Sequence, residues 1–170
     1  MHIAVTIDDL AFVVADAIAR PVGAELRAVT PVIRRLEQAA GDGLLRQLQL
    51  TQPLEVGAAV VTGAGALEVD LMIHAVVSTP TEAVSRDGVR RATASALQRA
   101  HDFAVERLAI APFGLGAGNL DIDDAAQTMI AAMRAHRGHR PCPSAVTIVV
   151  ESDFEAEAFR IALARAGRVQ

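Results

Sequence analysis

The sequence predicts an α/β fold, a three-layer α/β/α sandwich with a central mixed, mostly parallel sheet. Short apolar runs alternate along the chain with longer segments of helical periodicity, a pattern typical of a sheet covered by helices. The 170 residues suit one compact unit, and we expect a single domain over residues 1–170. Hydrophobic residues make up 52% of the chain, which indicates a globular protein and excludes a disordered one.

Six apolar runs are interpreted as strands. The first, HIAVT, ends at the polar IDD, and the run DLMIHAVV is continuous enough for a strand buried on both faces. The second run is expected to stop at Pro21, and the third to continue into a glycine loop. The predicted strands cover residues 2–6, 16–19, 57–65, 70–77, 107–112 and 144–150.

Two helices are predicted between the second and third strands. The first is expected to begin near Pro31, because proline suits the first helical turn, and to end at Gly41. A shorter helix is expected over residues 43–50.

The second half of the chain carries the stronger helical patterns. Apolar residues repeat with helical spacing over 89–104 and over 122–133, and Asp121 is the expected N-cap of the latter helix. Ser152 and Glu155 have capping-box spacing at the start of the last helix.

Charge and cysteine content restrict the functional classes. The formal net charge of −4 does not favour a long nucleic acid as partner. No apolar run approaches the roughly 18–20 residues of a membrane span, and acidic residues come too early for a secretion signal. Cys142 is the one cysteine, so no internal disulfide forms. We therefore expect a cytoplasmic protein with no membrane partner.

A glycine-rich loop follows the fifth predicted strand. In APFGLGAGNL, residues 111–120, glycines stand at alternate positions directly before a helix. Ligands of open α/β sheets bind at the carboxyl ends of strands, and glycines leave backbone amides accessible to an anion. The loop therefore suits a phosphate or diphosphate. The alternative that it only turns the chain stays open, because one glycine-rich loop is a weak signal.

Five segments together resemble the macro domain family, whose members bind ADP-ribose and related nucleotides and in some cases hydrolyse ADP-ribose esters. The resemblance covers nearly the whole chain and implies the fold given above. DAIARPV stands where the family has DAIVNAAN, and VGAAVVTGAG stands where it has a strand and a glycine loop. MIHAVV matches the family's IHAV strand, VRRATASALQRA matches the helix before its phosphate loop, and APFGLGAGNL matches the phosphate loop itself.

The resemblance implies a nucleotide-diphosphate site. Asp9, followed by Leu10, stands where the family has an aspartate that bonds the adenine amino group, although an aspartate after a strand is also a common turn residue. The phosphate loop carries over onto residues 114–119. The implied ligand-binding residues are Asp9, Leu10, Arg20, Val32, Gly114, Leu115, Gly116, Ala117, Gly118 and Asn119.

Half of the family's site is altered in this sequence. The NAAN segment, which supplies the catalytic asparagine of family hydrolases, is replaced by residues 20–23. The first phosphate loop becomes residues 29–32, in which Pro31 has no N–H. Either the pocket is partly filled, or arginines supply the lost charge. Arg34 and Arg35 could supply this charge, or they could instead lie on the solvated face of their helix.

These departures predict a divergent macro domain that binds ADP-ribose or a related nucleotide diphosphate but does not hydrolyse it efficiently. No catalytic residue, metal or cofactor is predicted. One alternative is a degenerate fold that acts as a protein-interaction or homo-oligomerisation module, and another is an ADP-ribosyl hydrolase. His74 is expected to be a structural, hydrogen-bonded histidine. The spacing of His136, His139 and Cys142 is too loose to predict a metal site.

Overall fold

The computed structural model describes residues 1–49, 53–116 and 119–167. Within these residues a six-stranded sheet lies between two layers of helices, as predicted. The strands β1 to β6 are His2–Ile7, Ala17–Gly23, Ala59–Gly63, Leu71–Ser78, Arg107–Ile110 and Ala145–Val150. The helices α1 to α5 are Pro31–Ala40, Asp42–Gln47, Arg86–Asp102, Ile122–Arg137 and Asp153–Gly167, and a short 3-10 turn, Leu10–Phe12, follows β1.

The sheet is mixed and mostly parallel. Its strand order is β1-β6-β5-β2-β4-β3, and neighbouring strands are parallel except for the pair of β3 and β4. The carboxyl ends of β2, β5 and β6 therefore lie side by side at one edge. No helix within the described ranges combines the length and the apolar character needed to cross a bilayer.

Alternate side chains of the strands bury into the two helical layers. In β2, Ala17 and Ala19 pack into the core beneath α3, α4 and α5, whereas Ile18 packs into the core beneath α1 and α2. All three are fully buried, because a strand between two helical layers has no solvent-facing side. The core beneath α1 and α2 also lies below the carboxyl ends of β5 and β6, where the candidate site is found.

The expectation that Pro21 ends β2 is wrong. The strand continues through Pro21 to Gly23 and pairs with β4 along its whole length, whereas its pairing with β5 ends at Ala19. The Ala19 carbonyl accepts a hydrogen bond from Ala111 at 3.0 Å, and by strand alternation the Pro21 nitrogen faces the same side. β5 has already ended there, so the missing N–H removes no ladder bond.

Helix termini follow the predicted capping residues. Pro31 is the first residue of α1, and Gly41, with φ of 73°, ends the helix in the left-handed region that glycine tolerates. Asp121 caps α4 by accepting from the Asp123 amide at 3.4 Å. The α3 helix begins three residues before the predicted start because Ser85 caps it. The predicted helix 43–50 is α2, and its last predicted residue lies outside the described residues.

Candidate ligand-binding site

A cleft of about 460 Å³ opens at the carboxyl ends of β5 and β6. Its size falls in the range of small-molecule sites, roughly 300–1,000 Å³. The start of α1, the glycine loop after β5 and the start of α5 surround it. The cleft is lined by Val29, Thr30, Pro31, Val32, Ile33, Ala111, Pro112, Leu115, Gly116, Asn119, Val149, Val150, Glu151 and Glu155.

The rim formed by the start of α1 offers few hydrogen-bond donors. Thr30 caps the helix, and its Oγ1 accepts from the Ile33 amide at 3.4 Å. Pro31 has no N–H to donate. The Val32 amide is the remaining donor of this turn, and it donates to no acceptor within the described ranges. Among the described residues, this rim therefore leaves one main-chain donor, the Val32 amide, available to a ligand.

The glycine loop presents backbone amides on the opposite rim. Gly114 and Gly116 have φ of 85° and 125°, and the loop is closed by a bond from the Leu120 amide to the Gly114 carbonyl at 3.0 Å. Asn119 donates from its amide to the Gly116 carbonyl at 3.1 Å. In the part of the chain that the structure describes, the amides of Leu115 and Gly116 meet no acceptor. These two N–H groups suit an anion.

Gly114 shapes the loop but does not line the cleft. A Cβ atom there would lie 2.7 Å from Cγ2 of Val89, so the turn requires glycine for close packing as well as for its positive φ. Val32, Leu115, Gly116 and Asn119 are the predicted residues that the structure places at the cleft. Ala117 and Gly118 lie outside the described residues.

Two glutamates at the start of α5 form the acidic end of the cleft. Ser152 Oγ accepts from the Glu155 amide at 3.2 Å, so the serine half of the predicted capping box is present. Glu155 Oε2 accepts at 2.9 Å from the amide of Glu151, the residue before the cap, rather than from that of Ser152. Sequence reasoning assigned Glu155 to the cap alone and did not place either glutamate at the site. Their position directly after β6 was the available signal, since ligands bind where strands end.

Arg34 and Arg35 both lie on the exposed face of α1. Arg35 pairs with the carboxylate of Glu151 across the end of the cleft. This ion pair neutralises Glu151 rather than presenting a free cation to a ligand. Surface pairs of this type contribute roughly 0–1 kcal/mol to stability.

Arg20 does not reach the cleft, contrary to the expectation that it binds the ligand. Its side chain is fully buried and pairs with the Glu37 carboxylate of α1. Its Nε donates to Nδ1 of His74 at 2.8 Å, and its NH2 group donates to the Leu26 carbonyl at 3.1 Å. Burial lowers the pKa of Arg20, and the Glu37 carboxylate opposes that shift. The guanidinium is thus fully used inside the protein.

His74 is hydrogen-bonded through both ring nitrogens, which confirms the structural role expected for it. Because Nδ1 accepts from Arg20, Nε2 carries the proton and donates to Thr62 Oγ1 at 2.8 Å. The Thr62 hydroxyl in turn donates to the Gly63 carbonyl at 2.8 Å. Burial, together with the Arg20 charge, lowers the pKa of His74 to about 3. The ring is therefore neutral in the folded protein at ordinary pH.

Asp9 and Leu10 lie beside the site rather than among its lining residues. Asp9 is exposed and begins the 3-10 turn, where its Oδ1 accepts from the Ala11 amide at 2.9 Å. Leu10 is buried in the core beneath α1. The adenine contact suggested for Asp9 stays a prediction.

A second groove, of about 720 Å³, lies between α3 and α4 on the outer surface. It is larger than the cleft, but its described lining residues all belong to α3 and α4 and none belongs to a strand. Its arginines Arg86 and Arg90 are paired with Asp124 and Asp87. Within residues 1–49, 53–116 and 119–167, no three histidine, cysteine or acidic side chains are grouped to hold a metal ion.

Comparison with known proteins identifies a family and its fold. The sequence profile described as Macro domain matches residues 13–129. A solved structure of the Oceanobacillus iheyensis macrodomain with ADP superposes with a TM-score of 0.85 at 16% identity, over 95% of this chain and 90% of that one. The Trypanosoma brucei macrodomain in complex with ADP-ribose gives the same TM-score and identity, over 95% of this chain and 69% of that one. At this identity the likeness shows the fold alone.

Relatives that are closer in sequence are matched over only part of their length. An uncharacterised protein of Mycobacterium tuberculosis is 34% identical over 122 residues, which are 72% of this chain and 34% of the relative. An uncharacterised protein of Aquifex aeolicus is 35% identical over 107 residues, which are 62% of this chain and 63% of the relative. The matched segment spans about a third of the mycobacterial relative.

Proposed function

The chain belongs to the macro domain family, and from this premise we propose that it binds ADP-ribose or a related nucleotide diphosphate in the cleft after β5 and β6. The observation that carries the proposal is the pair of amides of Leu115 and Gly116, which donate to no acceptor among the described residues and lie on the rim of an open cleft of about 460 Å³. Related folds have been solved with ADP and with ADP-ribose, which supports this ligand class.

Within the proposed site, main-chain donors hold the phosphates. The Leu115 and Gly116 amides bind one phosphate, and the Val32 amide, at the start of α1, binds the second. The Asn119 side chain donates to the Leu115 carbonyl at 3.1 Å and so holds the loop in its binding shape.

We propose binding without efficient hydrolysis. Residues 20–23 stand where family hydrolases carry their catalytic asparagine, and here they form the end of β2. Arg20 and Val22 are fully buried, so this segment presents neither side chain to the cleft. An absence of turnover on O-acetyl-ADP-ribose is the expected result, and turnover at enzymatic rates would favour the hydrolase alternative.

The proposed function is tested by calorimetric titration with ADP-ribose, ADP and AMP. Binding is expected for ADP-ribose and ADP, and Gly116→Glu is expected to abolish it, because a carboxylate placed on the amide rim repels phosphate and φ of 125° disfavours a side chain. The matched control is Gly138→Glu at the end of α4, where a Cβ meets only an ordinary contact at 3.6 Å. No heat for any of the three ligands would favour a protein-interaction module instead.

We further propose that residues 1–170 form one macro domain, although the family match covers residues 13–129. β6 pairs with β5 of the matched region, and β1 pairs with β6 along its full length. The α5 helix packs against β1 and against α4. These elements therefore complete the same sheet and core as the matched region. A cytoplasmic location is proposed on the single cysteine.

A further inference from the structure

Glu155 lies at the acidic end of the cleft, across from the amide rim. We infer that Glu155 is a specificity-determining residue that accepts hydrogen bonds from hydroxyl or amino groups of the bound ligand. This inference rests on the proposed nucleotide binding. It concerns the part of the ligand that is not phosphate. By this inference, the amide rim binds the phosphates and the Glu155 end binds hydrogen-bond donors of the ligand.

The carboxylate of Glu155 is only partly used by the fold. Its Oε2 accepts from the Glu151 amide, but its Oε1 accepts no hydrogen bond and joins no ion pair in the described part of the chain. The residue is half-buried, and it lines the cleft. A half-buried carboxylate oxygen without a protein donor leaves its hydrogen-bonding capacity to a ligand or to water.

Glu155 also carries the unbalanced charge of this end of the cleft. Glu151 is neutralised by Arg35, and its side chain is 45% exposed. Among the residues that the structure describes as lining the cleft, Glu151 and Glu155 are the charged ones. The side chains at this end therefore carry a net negative charge, whereas the Leu115 and Gly116 amides make the other rim attractive to anions.

This polarity selects the ligand class. A phosphate near Glu155 is repelled, whereas a ribose hydroxyl or an amino group gains a charge-assisted hydrogen bond. The bound molecule therefore carries phosphate at one end and donor groups at the other, as a nucleotide sugar does. Inorganic pyrophosphate meets the repulsion without the compensating bond, so the same side chain favours one ligand and disfavours the other.

The test compares ADP-ribose and inorganic pyrophosphate on the wild-type chain and on Glu155→Gln. Glutamine preserves the cap, because its side-chain oxygen accepts from the Glu151 amide as the carboxylate does. The affinity for ADP-ribose is expected to fall about tenfold, as for the loss of a charged hydrogen bond of roughly 1.4 kcal/mol. The affinity for pyrophosphate is expected to stay constant or rise. Glu157→Gln, on the exposed face of α5, is the control for charge removal and is expected to change neither.

Each other outcome overturns the inference in a recognisable way. Equal changes for both ligands would mean a general charge effect, and an unchanged affinity for ADP-ribose would mean that Glu155 does not contact the ligand. In both cases the proposed function stands, because the wild-type chain still binds. If wild type binds no ADP-ribose, both proposals fall together. If pyrophosphate binds neither the wild type nor Glu155→Gln, the ADP-ribose affinities of the two variants decide. A loss for Glu155→Gln but not for Glu157→Gln supports the inference, and equal affinities overturn it.

Discussion

Replacing Arg20 by methionine is expected to lower the free energy of unfolding by about 3–5 kcal/mol, the range for breaking a buried ion pair. The change removes the partner of Glu37, whose side chain is 16% exposed, and leaves two acceptors, His74 Nδ1 and the Leu26 carbonyl, without their donor. Methionine fills part of the volume, so the loss comes chiefly from unpaired polar groups. Chemical denaturation monitored by circular dichroism measures it.

The matched control is Arg27→Met. Arg27 pairs with Glu25 at 3.0 Å, but these side chains are 83% and 59% exposed, so a change within about 1 kcal/mol is expected. A further variant that carries Arg20→Met together with Glu37→Met should recover part of the loss, because it removes the unpaired buried carboxylate. Equal stability of Arg20→Met and Arg27→Met would show that the buried network does not hold the fold together.

The second large effect expected is a loss of stability in acid that depends on His74. The pKa of His74 is lowered to about 3 in the folded protein, whereas an unfolded histidine titrates near 6.5. Between these values the unfolded state binds a proton that the native state does not, so stability rises with pH and falls as pH is lowered. The slope is about 1.4 kcal/mol per pH unit, or about 4–5 kcal/mol over the whole window.

The measurement is the free energy of unfolding from pH 7.5 to 4 for the wild type and for His74→Gln. Glutamine has an acceptor for Arg20 and a donor for Thr62, but it does not titrate. The variant is less stable at pH 7 because its shape differs, so the comparison uses the slopes. Below pH 6, the free energy of unfolding of the wild type is expected to change more steeply with pH than that of the variant. The difference corresponds to about one proton, or about 1.4 kcal/mol per pH unit. Parallel curves would contradict a neutral buried His74.

The elements that repeat most regularly were predicted best from the sequence. The α3 and α4 helices and the β4 strand were predicted from periodicity and apolar runs, because a helix or strand between fixed layers must show its buried face in its residue pattern. The end of β2 was predicted wrongly, because the effect of Pro21 on the strand depends on where the neighbouring β5 ends. The 3-10 turn Leu10–Phe12 was missed because three residues carry no periodic signal.

The site was predicted from local backbone chemistry at some positions and not at others. Leu115 and Gly116 were predicted because alternating glycines before a helix indicate accessible amides wherever the loop lies, and both residues line the cleft. Arg20 was wrongly assigned, since nothing in its neighbourhood along the chain reveals Glu37 and His74 as partners. Glu155 was understood only as a cap, because the sequence does not show which side of α5 faces the cleft.

The sequence by itself determined the layered α/β architecture, the family resemblance and the amide-rich loop after β5. These features depend on residues close together along the chain, whose patterns reflect local geometry. Only the tertiary structure decided that the arginine of β2 belongs to the core and that a glutamate of α5 borders the cleft. A charged side chain is buried and paired by segments that come together from distant parts of the chain. Arg20 is 17 residues from Glu37 and 54 residues from His74 along the sequence.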